Sequence, residues 1–165
     1  MSYASPLGCL TLASDGTALT GLWFQDQSYY GSTLKDPSEE KQLPVFDDAK
    51  RWLDLYFSGS IPEFMPPLCL RGTAFRRRVW EILLTIPYGE TMTYGEIAGQ
   101  IARERGAEKM SAQAVGQAVG HNPIGIIVPC HRVVGTGGNL TGYAGGLDKK
   151  IWLLEHEKAA GWKKE

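Results

Sequence analysis

A chain of 165 residues with 43% apolar and 21% charged residues has ordinary globular composition, and it is long enough for one medium domain or two small ones. No apolar run reaches the length of a membrane span, and the start, MSYASPLGCL, lacks the basic and long apolar stretches of a secretory leader, so the chain reads as intracellular and without a membrane partner. The net charge of −1 conceals an asymmetry: residues 1–70 hold four Lys/Arg against nine Asp/Glu, a net −5, whereas residues 71–165 hold thirteen against nine, a net +4, and could face a polyanion.

Residues 1–25 read as strands. Gly8 to Ser14 is β-prone, Asp15-Gly16 is a turn signal, and Thr17 to Phe24 continues with Leu19, Leu22, Trp23 and Phe24, which predicts a hairpin. Gln25 to Leu43, with Pro37 and Glu39-Glu40-Lys41, reads as an exposed loop. Val45, Ala49, Trp52, Leu53, Tyr56 and Phe57 recur at helical spacing, with Pro44 suited to the first turn and Ser58-Gly59-Ser60 to the end. Pro62, Pro66 and Pro67 break regular structure, and Leu68-Cys69-Leu70 suits one more short strand.

From residue 73 the pattern is helical. Thr73 can cap a helix running to about Ile86, with Phe75, Val79, Trp80, Ile82 and Leu83 inward. Thr93 and Glu96 have capping-box spacing and open a short helix containing Ile97, Ala98 and Ile101. Ser111 caps a small-residue helix, Ala112 to Gly120. The pair suggests a helix-turn-helix, and the small side chains let the second helix approach either a ligand or a neighbouring helix closely. Gly135 to Gly146 is glycine-rich, lacks the ending of a phosphate loop, and reads as a flexible surface loop. Trp23, Trp52, Trp80 and Trp152 read as core anchors, Cys9 and Cys69 as core strand residues, and His121 and His156 as surface or packing residues. Of Arg76, Arg77 and Arg78, not all can face inward. Three cysteines with no C-x-x-C pair fit a reducing compartment and argue against a zinc knuckle.

The chemistry sits at Ile124 to Val134, IGIIVPCHRVV. A base or imidazolium near a thiol lowers its pKa and makes a nucleophile, yet adjacent strand residues face opposite ways, so Cys130 and His131 need a water or a turn between them. A structural Cys beside a solvated His is the plainer reading of the dipeptide alone.

The longer pattern carries more. Asn122-Pro123, Pro129-Cys130-His131-Arg132-Val133-Val134, Gly142-Tyr143-Ala144-Gly145-Gly146-Leu147, Lys150, Leu153-Leu154 and Glu157 resemble the O6-alkylguanine-DNA alkyltransferase family. Phe75-Arg76, Val79-Trp80, Ile86-Pro87, Gly89-Glu90-Thr91, Tyr94, Ile97-Ala98 and Ser5-Pro6-Leu7-Gly8 extend the likeness over nearly the whole chain.

That resemblance implies an α+β chain of two small domains. Residues 1–72 would form a ribonuclease-H-like α/β domain. Residues 73–165 would form a helical winged-helix or helix-turn-helix domain carrying the reactive Cys. The implied partner is double-stranded DNA containing O6-alkylguanine, entered from the minor groove with the damaged base flipped out. The protein would act as a cytoplasmic monomer with no cofactor and no metal. Cys130 would be the nucleophile, His131 would take its proton through a water, and Glu157 would orient His131 and favour its cation. Tyr94 would donate to the leaving guanine, and Asn122 would hinge the active-site strand. Tyr143 would contact the base, the carbonyls of Cys130 and Val133 would read the guanine amine, and the Ala144 N–H would donate to O6. Gln113, Ala114, Gly116 and Arg132 would face substrate or DNA. Gln113 stands where the family typically has an Arg, and Ala144 where it often has a Ser. The same family likeness argues against a helix-turn-helix regulator, which needs neither the Tyr143 loop nor Glu157. It argues also against a binder of alkylated guanine without repair activity, because such relatives lack the Cys of the PCHR string.

Overall fold

The computed structural model describes residues 1–34 and 39–163. The expected Pro37 of the exposed loop lies outside the described residues. The chain divides into two compact units, one of residues 1–71 with 123–125, the other of residues 72–122 and 126–165.

In the first unit β1 (Ser2–Ser5), β2 (Gly8–Ser14) and β3 (Leu19–Phe24) form an antiparallel sheet in that order, with Leu10 opposite Phe24 and Leu12 opposite Leu22. The predicted Asp15-Gly16 turn is real, and its chemistry is visible: Asp15 Oδ1 accepts the Thr17 and Ala18 N–H groups, each at 2.9 Å. Every residue of β3 is buried, because its second edge is also occupied. Leu19 N–H donates to Pro67 O at 2.7 Å and Leu22 N–H to Pro123 O at 2.8 Å. Leu68-Cys69-Leu70 therefore adds one bridge to β3, at Leu68, and not the full strand expected. Gly21 is required by close approach, since a methyl group there would lie 2.0 Å from the Trp23 ring. Helix α1 (Pro44–Phe57) follows the predicted spacing and packs Val45, Phe46, Ala49, Trp52, Leu53 and Tyr56 inward against β2 and β3. Cys9 differs from expectation. It is exposed, because β2 buries nothing before Leu10.

In the second unit α2 (Ala74–Leu83) and α3 (Tyr94–Arg105) both pack on α4 (Ala112–Gly120). The caps are those expected: Thr73 accepts from Arg76 N–H, Thr93 and Glu96 make the reciprocal capping box, and Ser111 accepts from Ala114 N–H. Gly106 ends α3 at φ 66°, a conformation that costs a side chain but not glycine. Trp80 Nε1–H donates to Ala118 O at 2.8 Å, so its ring is buried without stranding its polar atom. Strands β4 (Met92–Thr93) and β5 (Val133–Val134) pair in parallel. Helix α5 (Leu147–His156) was not anticipated. On it Trp152 is half-buried, not a core anchor, and stacks on His156 with centroids 4.8 Å apart. The glycine-rich stretch is partly ordered by its neighbours: Lys163 N–H donates to Gly138 O at 2.8 Å, and a side chain at Gly138 would strike Gly161 O. Arg78 pairs with Glu104 and Glu81, whereas Arg77 is exposed. Among the described residues no helix is long and apolar enough to cross a membrane.

Candidate active site

The site is assembled within the second unit. The β4–β5 pairing sets Thr93 opposite Val134 and Met92 opposite Val133, which brings the start of α3 beside the Cys130 segment. That segment is a turn and not a strand. Cys130–Arg132 forms a single 3₁₀ turn, closed by Val133 N–H to Cys130 O, and Arg132 N–H donates to Pro129 O at 3.0 Å. Just before it, buried Ile126 adopts φ 66°, costly for a β-branched side chain and sustained here by the packing around it. Asn122, past the end of α4, donates from Nδ2 to Val128 O at 2.8 Å and so ties the end of α4 to the residues before the turn.

The turn sends neighbouring side chains in different directions. Cys130 is 6% exposed and its thiol hydrogen-bonds with Asn122 and Tyr143. Burial pushes the thiol up, while Asn122, the Lys150 ammonium and the Tyr143 hydroxyl pull it back. The groups that act directly on the thiol are therefore these three, not the adjacent His131. Lys150 is fully buried on α5, with Nζ donating to Val133 O at 2.6 Å. Burial lowers it to about 8, against the pull of Cys130. Tyr143 is pushed well above the ordinary tyrosine range, by burial first and then by Cys130.

His131 is fully buried and turned away, its Nε2 2.6 Å from Glu157 Oε2. Glu157 also accepts Arg132 Nε–H at 2.8 Å and Nη2–H at 3.1 Å, and it lies 3.3 Å from the Gly89 N–H that it accepts. Burial alone would raise this carboxyl; the bonds and charges of His131 and Arg132 outweigh that and hold it well below the usual carboxylate range. His131 itself is lowered, by burial foremost; Glu157 pulls it up, but Arg132 and Lys150 push it further down. The expected orienting contact from Glu157 is present. Glu157 acts in the expected direction, toward the cation, and burial foremost, then Arg132 and Lys150, oppose it. A neutral imidazole donating from Nε2 to Glu157 carries its acceptor at Nδ1, which is buried and meets no protein partner among the described residues.

Arg132, expected at the DNA, is instead 8% exposed and spent on Glu157, on Ile86 O at 2.7 Å and over the Tyr88 ring at 5.7 Å. Cys130 O accepts Val133 N–H, and Val133 O accepts the Lys150 ammonium. Ala144 is half-buried on the same loop as Tyr143. Tyr94 begins α3, and its oxygen accepts from Thr141 Oγ1 at 2.8 Å. On α4, Gln113 is exposed, Ala114 is half-buried with its N–H on Ser111, and Gly116 lies against the Tyr94 ring, where a methyl would sit 3.7 Å from ring carbons. Small residues on α4 thus serve a neighbour at Gly116, while Ala112, Gln113 and Gln117 stay exposed.

Lys150, Thr141 and the inward role of Arg132 were missed from sequence. A signal existed for the first: Lys150, Leu153, Leu154 and Glu157 stand at i, i+3, i+4 and i+7, one face of a helix. Among the described residues no cluster of His, Cys, Asp and Glu could hold a metal ion.

Comparison with known proteins agrees with this geometry. Residues 74–159 match the 6-O-methylguanine DNA methyltransferase, DNA binding domain, and residues 1–70 the 6-O-methylguanine DNA methyltransferase, ribonuclease-like domain. The chain is 52% identical over 158 residues, 94% of its length and 89% of the relative's, to a methylated-DNA–protein-cysteine methyltransferase of Mycobacterium bovis. It is 42% identical over 159 residues to the protein of that name from Haemophilus influenzae, covering 94% of this chain and 84% of the relative. A solved structure of Mycobacterium tuberculosis OGT in complex with DNA is similar at TM-score 0.82 and 48% identity, over 97% of this chain and 94% of that one. With a ribonuclease-like first part, a DNA-binding-domain second part and a buried Cys130 turn backed by His131 and Glu157, this chain belongs to the 6-O-methylguanine DNA methyltransferase family.

Proposed function

We propose that this protein repairs DNA by direct reversal, moving the alkyl group of O6-alkylguanine irreversibly onto Cys130. The observation that carries the reading is the placement of one buried thiol among Asn122, Tyr143 and Lys150, next in sequence to a His131 that is held by Glu157. The family and the DNA complex of the mycobacterial relative support DNA as the partner. Residues 73–165 are the alkyl-accepting, DNA-binding part, entering the minor groove with α4, and residues 1–72 the ribonuclease-like part. The protein acts as a cytoplasmic monomer.

A base stacked in a duplex cannot reach a buried thiol, so the alkylated guanine turns out of the stack. Gln113, exposed in the first turn of α4, occupies the gap it leaves. In the pocket Tyr143 lies beside the base, the Cys130 and Val133 carbonyls accept its amine, and the Ala144 N–H donates to O6. The thiol proton passes through a water to His131 Nδ1. The resulting imidazolium is stabilised by Glu157, as an orienting carboxylate stabilises a cationic base elsewhere. Cys130 Sγ then bonds to the alkyl carbon as the carbon–O6 bond breaks, and that electron pair goes to guanine. Tyr94 supplies the proton guanine needs, so the base leaves neutral. Lys150 favours the thiolate before the step, and its charge is unopposed after it.

A thioether gives up its alkyl group only if a nucleophile displaces a thiolate, a poor leaving group, so transfer is stoichiometric. Titration with a duplex containing O6-methylguanine should stop at one methyl per protein. Continued conversion at many equivalents would reject the proposal. O4-alkylthymine in the same assay defines the range of the pocket.

A further inference from the structure

Tyr94 is held firmly as a ring and loosely as a hydroxyl. The Thr93–Glu96 capping box fixes it as the first residue of α3, and pairing of Thr93 with Val134 anchors that start beside the 3₁₀ turn. Its ring lies against Gly116 of α4. None of these contacts sets the direction of the O–H bond, which rotates about the C–O axis. Among the described residues one group holds the oxygen: Thr141 Oγ1, which donates to it at 2.8 Å. A phenol oxygen that accepts there keeps its own proton for a different partner. The donation also works against burial, the main influence that raises the Tyr94 hydroxyl, and so makes it a stronger acid. Thr141 stands two residues before Tyr143, whose hydroxyl meets the Cys130 thiol. One short loop therefore reaches the thiol at one point and Tyr94 at the other.

We infer that Thr141 is a positioning residue for alkyl transfer: its hydroxyl directs the Tyr94 O–H away from the loop and toward the departing guanine. The inference rests on the proposed transfer to Cys130. No new bond is made or broken. Thr141 decides which way an existing proton points, and it lowers the cost of releasing it.

The test is single-turnover methyl transfer from an O6-methylguanine duplex, with the rate at saturating protein separated from the concentration giving half that rate. Thr141 is exposed, so Thr141→Val removes the hydroxyl at nearly constant shape without disturbing a core. It should slow the saturated rate about threefold to tenfold, the worth of one hydrogen bond, and leave the half-saturating concentration unchanged. Thr141→Ser, which keeps the hydroxyl, should restore the rate to within about twofold of the parent. In a Tyr94→Phe background, where the acceptor is gone, Thr141→Val should add nothing. A saturated rate equal to the parent's, an effect confined to half-saturation, or undiminished slowing in the Tyr94→Phe background would each overturn the inference. Failure of the parent protein itself to accept a methyl group would instead overturn the repair reading on which the inference stands.

Discussion

Arg132→Met is the perturbation that most directly separates a structural from a surface role for this residue. The guanidinium makes two bonds to Glu157, at 2.8 and 3.1 Å, and one to Ile86 O at 2.7 Å, and both partners of the ion pair are buried. Methionine fills much of the same volume but leaves a buried carboxylate with His131 and the Gly89 N–H as its remaining partners. Removing one member of a buried pair costs about 3–5 kcal/mol, most of it the orphaned charge. The loss should depend on pH, with a sign set by His131. In the parent His131 is held below its ordinary value, so stability declines as pH falls below about 6.5, where the unfolded imidazole takes up protons. Without Arg132 one of the influences lowering His131 is gone, while burial and Lys150 still oppose Glu157. The folded imidazole then takes up its proton more readily than in the parent, so the loss relative to the parent should be smaller at pH 6 than at pH 8. Urea unfolding at the two pH values measures both effects. Arg132→Met combined with Glu157→Gln, which removes the orphaned charge, should be more stable than Arg132→Met alone. A loss under about 1 kcal/mol, the range of an exposed pair, would refute the burial argument, and an equal loss at both pH values would refute the coupling to His131.

Two further substitutions test other parts of the site. Lys150→Met removes the buried ammonium near the thiol, so alkylation of Cys130 by iodoacetamide should slow about tenfold at pH 7. Because burial lowers Lys150 to about 8, the gap between parent and variant should narrow above that pH; a gap that widens would contradict the assignment. Gln113→Ala should slow repair of duplex DNA and hardly change reaction with free O6-benzylguanine, which needs no flipping. Equal slowing on both substrates, with a lower melting temperature, would make Gln113 a helix-packing residue.

The parts of this structure legible in the sequence are those written in short-range chemistry. Thr73, Thr93 with Glu96, and Ser111 cap their helices because a side-chain oxygen three residues before a free N–H needs nothing distant. The Asp15-Gly16 turn and the apolar face of α1 follow for the same reason. Cys130, His131 and Glu157 were legible through the family pattern, and Tyr94, Asn122 and Tyr143 with them. Long-range direction was not. Whether Arg132 faces DNA or the core depends on the turn at Cys130–Arg132 and on distant partners, Glu157 25 residues on and Ile86 O. Cys9 alternates correctly for a strand, yet sits where β2 has not reached cover. Helix α5 was hidden by the glycines before it, although its inward face carries Lys150 and its C-terminal cap is Glu157.

The central claim is a single covalent destination for the alkyl group. The most direct measurement is the mass of the intact protein after reaction with excess O6-methylguanine duplex, followed by peptide mapping. One added methyl is expected, on the peptide containing Cys130, and no addition in Cys130→Ser even though that variant still binds DNA. An unmodified protein beside repaired DNA, or a methyl on Cys9 or Cys69, would contradict it.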